Sequence, residues 1–178
     1  MPYAVSHLLI VIILLELFRD YYVKNKRTFP LHYVLIGGIA GLLPDIDIAA
    51  YYVLSFFGFT IEQVHRTYTH TLFLPLIFLV LGLVLHGVKS KKLGEHHLKL
   101  RNIFFVIAFG TFMHLVLDAF LSGTIMPFYP ISAYSFGIYL LNVFPYPWRD
   151  NLLPTIDAAL LVLWLVSLEL RHKISSFI

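Results

Sequence analysis

The sequence predicts an all-α, polytopic membrane protein with about five transmembrane helices. Hydrophobic residues make up 59% of its 178 residues and charged residues only 13%, whereas a soluble domain has about 25% charged residues. The mean hydropathy is +0.81. The apolar residues are grouped in stretches that are about long enough to cross a hydrocarbon core of about 30 Å. These observations exclude a water-soluble fold and a disordered chain.

Polar connections separate the five predicted spans, and residues 1–178 are expected to form one integral membrane domain. The first span is interpreted as a retained helix, because basic residues follow it and no small-residue cleavage site is present. The second span contains three glycines and a proline, so we expect it to be kinked or broken. The spans are Ala4–Phe18, Tyr33–Phe57, His70–Val88, Ile103–Leu121 and Ile156–Leu170.

The distribution of basic residues predicts the orientation of the chain. Of the 13 Lys and Arg residues, 11 lie between spans one and two, between spans three and four, or after span five. Because positive charge is enriched in cytoplasmic connections, the N-terminus is predicted outside and the C-terminus in the cytoplasm. The outer connection Ser122–Thr155 is long and aromatic. We expect it at the headgroup level, as a cover over the outer helix ends or as an interfacial anchor.

Composition also limits the chemistry. The chain has no cysteine, which excludes disulfides, a thiolate nucleophile and Cys-ligated metal sites. Its net charge of +3 is too small and too scattered to indicate nucleic acid as a partner. The expected partners are the bilayer and a lipid or lipid-linked substrate, and the sequence indicates no particular oligomeric state.

Ionisable residues within the spans are costly and are functional candidates by default. At 1.5 Å per residue, the second-span aspartates lie about 18 Å from its cytoplasmic end, and the fourth-span pair about 17 and 22 Å along that span. The residues of the cluster given next all fall in the predicted outer half of the membrane. The predicted cluster comprises His7, Asp45, Asp47, His65, His70, His114 and Asp118, with Asp157 at the outer start of span five. The histidines predicted at the cytoplasmic side, outside the cluster, are His32, His86, His96, His97 and His172.

Local spacing supports a common site. His114 and Asp118 are four residues apart, so they project from one helix face. Asp45 and Asp47 would point about 200° apart on a regular helix, and a break at membrane depth is tolerated where it lines a cavity. We expect Thr69 to be the N-cap of span three, which leaves His65 on the preceding loop.

A cluster of carboxylates in a low-dielectric setting requires compensation of its charge. A His/Asp set without Cys suits Zn²⁺, with Mn²⁺ or Fe as alternatives. Seven ligands exceed the four of one tetrahedral site, which predicts two ions sharing a carboxylate, an arrangement that catalyses displacement at phosphorus. Arg66 is placed to bind a phosphate. Asp47 or Asp157 is predicted to be the general base.

Several of these residues have simpler interpretations when each is taken alone. His7 is then a helix-end histidine, and Asp157 is a carboxylate favoured at a helix N-terminus. Pro44-Asp45-Ile46-Asp47 is then a helix-terminating turn. The shared depth of the residues favours the metal site over this set of separate explanations.

Four motifs in order resemble the YdjM-like membrane-bound metal-dependent hydrolases. The resemblance extends from His7 to about Ser132. It implies that the seven residues of the cluster bind metal and that the protein is a hydrolase. The family is remotely similar to zinc-dependent phospholipases C, whose sites are also built from His and Asp. The motifs are His7, Leu43-Pro44-Asp45-Ile46-Asp47, His65-Arg66-Thr67-Tyr68-Thr69-His70-Thr71 and His114-Leu115-Val116-Leu117-Asp118.

The function expected from the sequence is a membrane-embedded, metal-dependent hydrolase. The favoured substrate is a phosphoester of a phospholipid or lipid-linked phosphate, because a site near the outer interface reaches a headgroup more easily than a soluble polymer. A divalent-cation transporter and a non-catalytic protein stabilised by metal are the alternatives, together with a hydrolase of an amide or acyl ester bond.

Overall fold

The computed structural model describes residues 4–88, 91–95, 97–121 and 123–172. His96, Ser122 and the side chain of His172, all part of the sequence predictions, lie outside this description. In the described ranges every regular element is helical, apart from one isolated antiparallel bridge between Ile125 and Phe136. The all-α prediction is therefore confirmed. The helices are α1 Ala4–Tyr21, α2 Leu31–Ala40, α3 Ile46–Leu54, α4 Ile61–Val64, α5 Phe73–Val84, α6 Lys91–Glu95, α7 Leu100–Leu121 and α8 Trp148–His172.

Helix α7 lies at the centre of the bundle. It packs against α2 and α5 and also contacts α1, while α8 packs against α1. The largest apolar core is formed where α1, α2 and α7 meet. Its buried residues are Leu9, Val11, Ile12, Leu15, Tyr33, Val34 and Val106.

Glycines allow these three helices to approach closely. A Cβ added to Gly110 of α7 would collide with the carbonyl oxygen of Gly37 in α2. A Cβ added to Gly41 would lie 2.6 Å from the carbonyl oxygen of His7 in α1. Small residues at helix contacts have this role in membrane proteins, where backbones must pack without a solvent-driven force between helices.

The second predicted span is broken, as expected from its glycines and proline. Helix α2 ends at Ala40 and α3 begins at Ile46. Between them the backbone forms tight turns, in which Leu43 and Pro44 accept hydrogen bonds from the N–H groups of residues 46 and 47. The break leaves Asp45 just before α3 and Asp47 in its first turn.

Among the described residues, two helices are long and apolar enough to cross a membrane by length and composition, Leu100–Leu121 and Trp148–Leu170. Only 11% of the apolar window of α8 is buried, as expected of a helix that faces lipid. Shorter apolar helices form most of spans two and three, at Leu31–Ala40, Ile46–Phe57 and Phe73–Gly87. The five-span topology and its orientation stay predictions.

The outer connection is shorter than predicted. We expected it to extend to Thr155, but α8 begins at Trp148, with Asp150 in its first turn. A carboxylate is favoured there by the helix dipole, and apolar stretches do not signal this feature. Thr155 Oγ1 donates to the Asn151 carbonyl at 2.7 Å, and Asn151 Nδ2 donates to the Pro147 carbonyl at 3.2 Å. Pro154 is accommodated inside the helix.

The described part of this connection, residues 123–147, packs against the end of α7. The N–H of Ile138 donates to the Ala119 carbonyl at 2.7 Å, and the N–H of Leu72 donates to the Pro127 carbonyl at 2.9 Å. Ile125 is buried against Leu115 and Ala119. The segment therefore covers the ends of α5 and α7, which agrees with the prediction that it forms a cover.

Gly110→Ala should lower the free energy of unfolding by about 1–3 kcal/mol, because the added methyl group forces α2 and α7 apart. Denaturation in mixed micelles measures this effect. Gly87→Ala is the control, since nothing lies within 4 Å of an added Cβ there. Equal stability of the two variants would contradict close packing at Gly110.

Candidate metal centre

Seven histidine and aspartate side chains converge at one end of the bundle. The N-terminal ends of α1 and α5 and the C-terminal ends of α2 and α7 meet there. Sequence positions far apart in the chain are thereby brought into one cluster, which we call the His/Asp cluster. Its members are His7, Asp45, Asp47, His65, His70, His114 and Asp118.

One group of possible ligands consists of His7, His114 and Asp118, all fully buried. His7 Nε2 lies 3.5 Å from Asp118 Oδ1, and His114 Nε2 lies 3.8 Å from Asp118 Oδ2. The rings of His7 and His114 stack with their centroids 3.9 Å apart. One ligand atom from each residue lies within 4.8 Å of the other two, so one cation could contact all three.

A second group consists of Asp45, His65 and His70, whose ligand atoms also lie within 4.8 Å of one another. Asp45 Oδ1 is 3.5 Å from His70 Nε2 and 3.5 Å from His114 Nε2. The two imidazole nitrogens are themselves 3.1 Å apart. Asp45 therefore faces both groups at once.

Four possible ligand atoms lie close together at the junction of the two groups. They are Asp45 Oδ1, His70 Nε2, His114 Nε2 and Asp118 Oδ2, and five of their pairwise distances range from 3.1 to 3.8 Å. Ligand atoms at bond lengths of 2.0–2.2 Å from a tetrahedral ion are about 3.3–3.6 Å apart. Asp118 Oδ1 points instead toward His7, so this carboxylate presents its two oxygens to different imidazoles.

Several buried atoms of the cluster have no hydrogen-bond partner among the described residues. They are Asp45 Oδ1, both oxygens of Asp118, His7 Nδ1 and His65 Nε2. A buried carboxylate without hydrogen bonds is costly. Since these oxygens lie beside imidazole nitrogens, a bound divalent cation would remove that cost, and the residues present fit such an ion.

The helix break orients one of the imidazoles. His114 Nδ1 lies 2.7 Å from the carbonyl oxygen of Gly41, the first residue after α2. As a donor to this carbonyl, Nδ1 carries the proton, and the lone pair of Nε2 faces Asp45 and His70. Metal-binding histidines are commonly oriented by such a hydrogen bond from the second ring nitrogen.

Asp47 is placed differently from Asp45. His65 Nδ1 is 2.9 Å from its Oδ1, while the N–H of Arg66 and the hydroxyl of Thr69 donate to Oδ2 at 3.1 and 2.7 Å. His70 Nδ1 is also 3.1 Å from Oδ2. Four polar groups thus surround this carboxylate, which leaves Nε2 of both histidines directed away from it.

Thr69 is not the N-cap that the sequence predicted. Helix α5 begins at Phe73 with Leu72 in the cap position, and the Thr69 hydroxyl binds Asp47 instead. An N-cap hydroxyl accepts a hydrogen bond from a backbone N–H, whereas the Thr69 hydroxyl donates to an ionised carboxylate, which gives a stronger, charge-assisted hydrogen bond. Nothing in the local sequence signals this contact, because it depends on Asp47 arriving from 22 residues away.

Arg66 lies at the edge of the cluster, with its backbone in the left-handed region at φ 63°. Its Nη2 is 3.2 Å from Asp118 Oδ2. A Cβ added to Gly123 would collide with the guanidinium group, so the glycine after α7 provides the space that Arg66 occupies. Sequence reasoning identified Arg66 but not this function of Gly123.

Access to the cluster is uneven. The side chains of His70, His114 and Asp118 are at most 1% exposed, whereas that of Asp45 is 25% exposed and that of Arg66 19%. The cluster residues on α7 are therefore buried, whereas Asp45 and Arg66 form a partly exposed edge, which we call the rim.

Asp157 lies on α8 and is buried, where it accepts a hydrogen bond from the Ser6 hydroxyl. Ser6 directly precedes His7 in α1. The structure thus places Asp157 next to the cluster through Ser6, and it assigns Asp157 to neither group of possible ligands among the described residues.

Comparison with known proteins identifies the family. The family model described as YdjM inner membrane protein matches residues 1–173, which is nearly the whole chain. The chain therefore belongs to the YdjM family, as the sequence motifs suggested. No curated protein and no solved structure matches it.

Elemental analysis of the detergent-purified protein should find tightly bound transition-metal ions, close to two per chain. Asp118→Asn should lose most of them, because this carboxylate contacts imidazoles of both groups. Asp150→Asn, an exposed aspartate at the start of α8, is the matched control and should keep them. A ratio near one would indicate that the cluster holds a single ion, and no bound metal would contradict the site.

Asp45→Asn and Asp47→Asn should differ in their effect on metal binding. Asp45→Asn removes a ligand atom, so we expect fewer ions per chain. Asp47→Asn only loosens the imidazoles that it orients, and we expect the same number of ions bound about 10–100-fold more weakly. Competition with a chelator measures both quantities. A lower stoichiometry in Asp47→Asn would show that Asp47 is itself a ligand.

Proposed function

We propose that this member of the YdjM family of inner membrane proteins is a metal-dependent hydrolase. Its favoured substrate is a phosphoester of a phospholipid or of a lipid-linked phosphate. The observation that supports this best is a guanidinium group, that of Arg66, beside buried His/Asp groups that could hold divalent cations.

The two groups of possible ligands could each hold one divalent cation. Zn²⁺ is favoured because the donors are imidazole and carboxylate without thiolate, and Mn²⁺ or Fe would accept the same set. Bound ions would supply a nucleophilic hydroxide at neutral pH and neutralise charge on the phosphate. In this proposal the ligands are His7, Asp45, His65, His70, His114 and Asp118, with Asp47 as a further ligand or as the group that orients His65 and His70.

The chain's own residues would then position the substrate and move the proton. Arg66 would hold a phosphate oxygen, since a guanidinium group binds phosphate through two N–H groups. Asp47 or Asp157 would act as the general base. Four polar groups surround Asp47, whereas Asp157 accepts a hydrogen bond from Ser6, the residue before His7.

An apolar groove beside the cluster supports a lipid substrate. It has a volume of about 560 Å³ and runs along α5 and α7, and Leu72, only two residues after His70, lies at one end. Phe128 of the outer connection also lines it. An acyl chain in this groove could place its headgroup at the end that carries Leu72, two residues after His70 of the cluster. The proposal places the cluster toward the outer face, as the positive-inside rule predicts.

A divalent-cation transporter is less well supported by the distribution of buried polar groups. Transport requires a polar route to the other end of the bundle. The ten buried polar residues described lie in or near the His/Asp cluster, with Thr111 the furthest along α7 toward the other end. Below them the core is apolar, with Val11, Val34 and Val106.

The enzyme proposal predicts that metal-loaded protein in mixed micelles releases a phosphorylated headgroup or phosphate from a panel of phospholipids and lipid-linked phosphates. Product is measured by mass spectrometry. Arg66→Lys should lower kcat about 10–100-fold with unchanged metal content, because Lys cannot provide paired N–H donors. Arg149→Lys is the control, because Arg149 is exposed in the first turn of α8.

Two results would contradict the proposal. One is the absence of hydrolysis of any phosphoester or carboxylic ester by protein that has its full metal content. The other is metal-dependent uptake into proteoliposomes, which would favour the transporter. A non-catalytic protein would show instead that His65→Ala and His114→Ala together lower thermal stability with no activity to lose.

A further inference from the structure

A second polar site lies at the opposite end of the bundle from the His/Asp cluster. A cavity of about 560 Å³ opens between the α1–α2 connection, the end of α5 and the start of α7. Arg101, near the start of α7, is 13 residues before His114, so the two sites are about 20 Å apart along the helix. The lining residues are Arg27, Thr28, His86, Val88, Gly94, His97, Leu98, Lys99, Leu100 and Arg101.

The cavity is lined by basic side chains from separate parts of the chain. Arg27, Lys99 and Arg101 carry permanent positive charge, and none of them forms an ion pair with a carboxylate in the part of the chain that the structure describes. No carboxylate is among the described lining residues, although Glu95 is adjacent in sequence to one of them. Like charges gathered around one space repel each other, and an anion between them would relieve that repulsion.

The chemistry of the lining indicates which anion fits. Two guanidinium groups match the oxygens of a phosphate group through paired N–H donors. Val88, Leu98 and Leu100 add an apolar portion to the same wall. Apolar contacts do not contribute to the binding of a free phosphate ion, whereas a phospholipid carries its phosphate group next to glycerol and acyl chains that can make them. Basic pockets between transmembrane helices bind anionic headgroups in this way.

We propose that this cavity is a binding site for the phosphate group of an anionic phospholipid, separate from the metal centre. The site requires no metal and no hydrolysis. It adds a lipid contact at the end of the bundle opposite the cluster, so its test does not depend on the proposed function.

The test measures lipid binding to the full-length, detergent-purified protein by native mass spectrometry. Three probes are used: phosphatidylglycerol, zwitterionic phosphatidylcholine and inorganic phosphate. Wild-type protein should bind one phosphatidylglycerol at least about tenfold more tightly than phosphatidylcholine. Arg27→Gln with Arg101→Gln should weaken that binding about tenfold or more. Arg27→Gln alone, in an exposed connection, replaces the double variant if the latter unfolds.

Lys24→Gln with Lys26→Gln is the matched control. It removes the same net charge from the same end of the bundle, and neither lysine lines the cavity. Retained binding in this control with loss in the cavity variant supports the site. If inorganic phosphate and phosphatidylglycerol bind equally tightly, and the cavity variant loses the binding of both, the result would support a phosphate site for a soluble ligand instead of a lipid site. Equal binding of both lipids, or equal loss in cavity and control variants, would overturn the proposal.

Discussion

The burial of Asp118 is the constraint on which the rest of the cluster depends. Its side chain is at most 1% exposed, and an ionised carboxylate at such a position must be compensated by nearby positive charge. The guanidinium group of Arg66 approaches it with a permanent positive charge, and the imidazoles of His7 and His114 lie beside it as well. These three residues come from three different elements. Compensation of the Asp118 charge therefore requires α1, α7 and the loop before α5 to meet at this carboxylate. The helix packing through Gly41 and Gly110 makes that convergence possible.

The sequence predicted the features that depend on distance along a helix. The rise of 1.5 Å per residue places His114 and Asp118 at a common depth with the other polar groups, and glycines with Pro44 indicated the break after α2. The sequence could not show that Asp45 and Asp47 have different contacts, because the turn between α2 and α3 determines the direction of each side chain. The contacts of Thr69 and Gly123 were missed for the same reason, since both involve partners distant in sequence.

The ends of helices were harder to predict than their existence. The apolar stretch located α7 well, but α8 begins eight residues before the predicted fifth span. Its first turns are polar and include Asp150, so an apolar stretch does not detect them. The third predicted span begins at His70, while α5 begins at Phe73. The intervening residues are used by the cluster and by the outer connection, and such tertiary contacts override local helix signals.

The uneven exposure of the cluster has a consequence for the exchange of bound ions. His70, His114 and Asp118 are closed off, while Asp45 on the interhelical turn remains in contact with the surroundings. An incoming ion would therefore meet Asp45 before any of the buried nitrogens. Exchange of bound ions with soluble chelators should begin at the turn between α2 and α3.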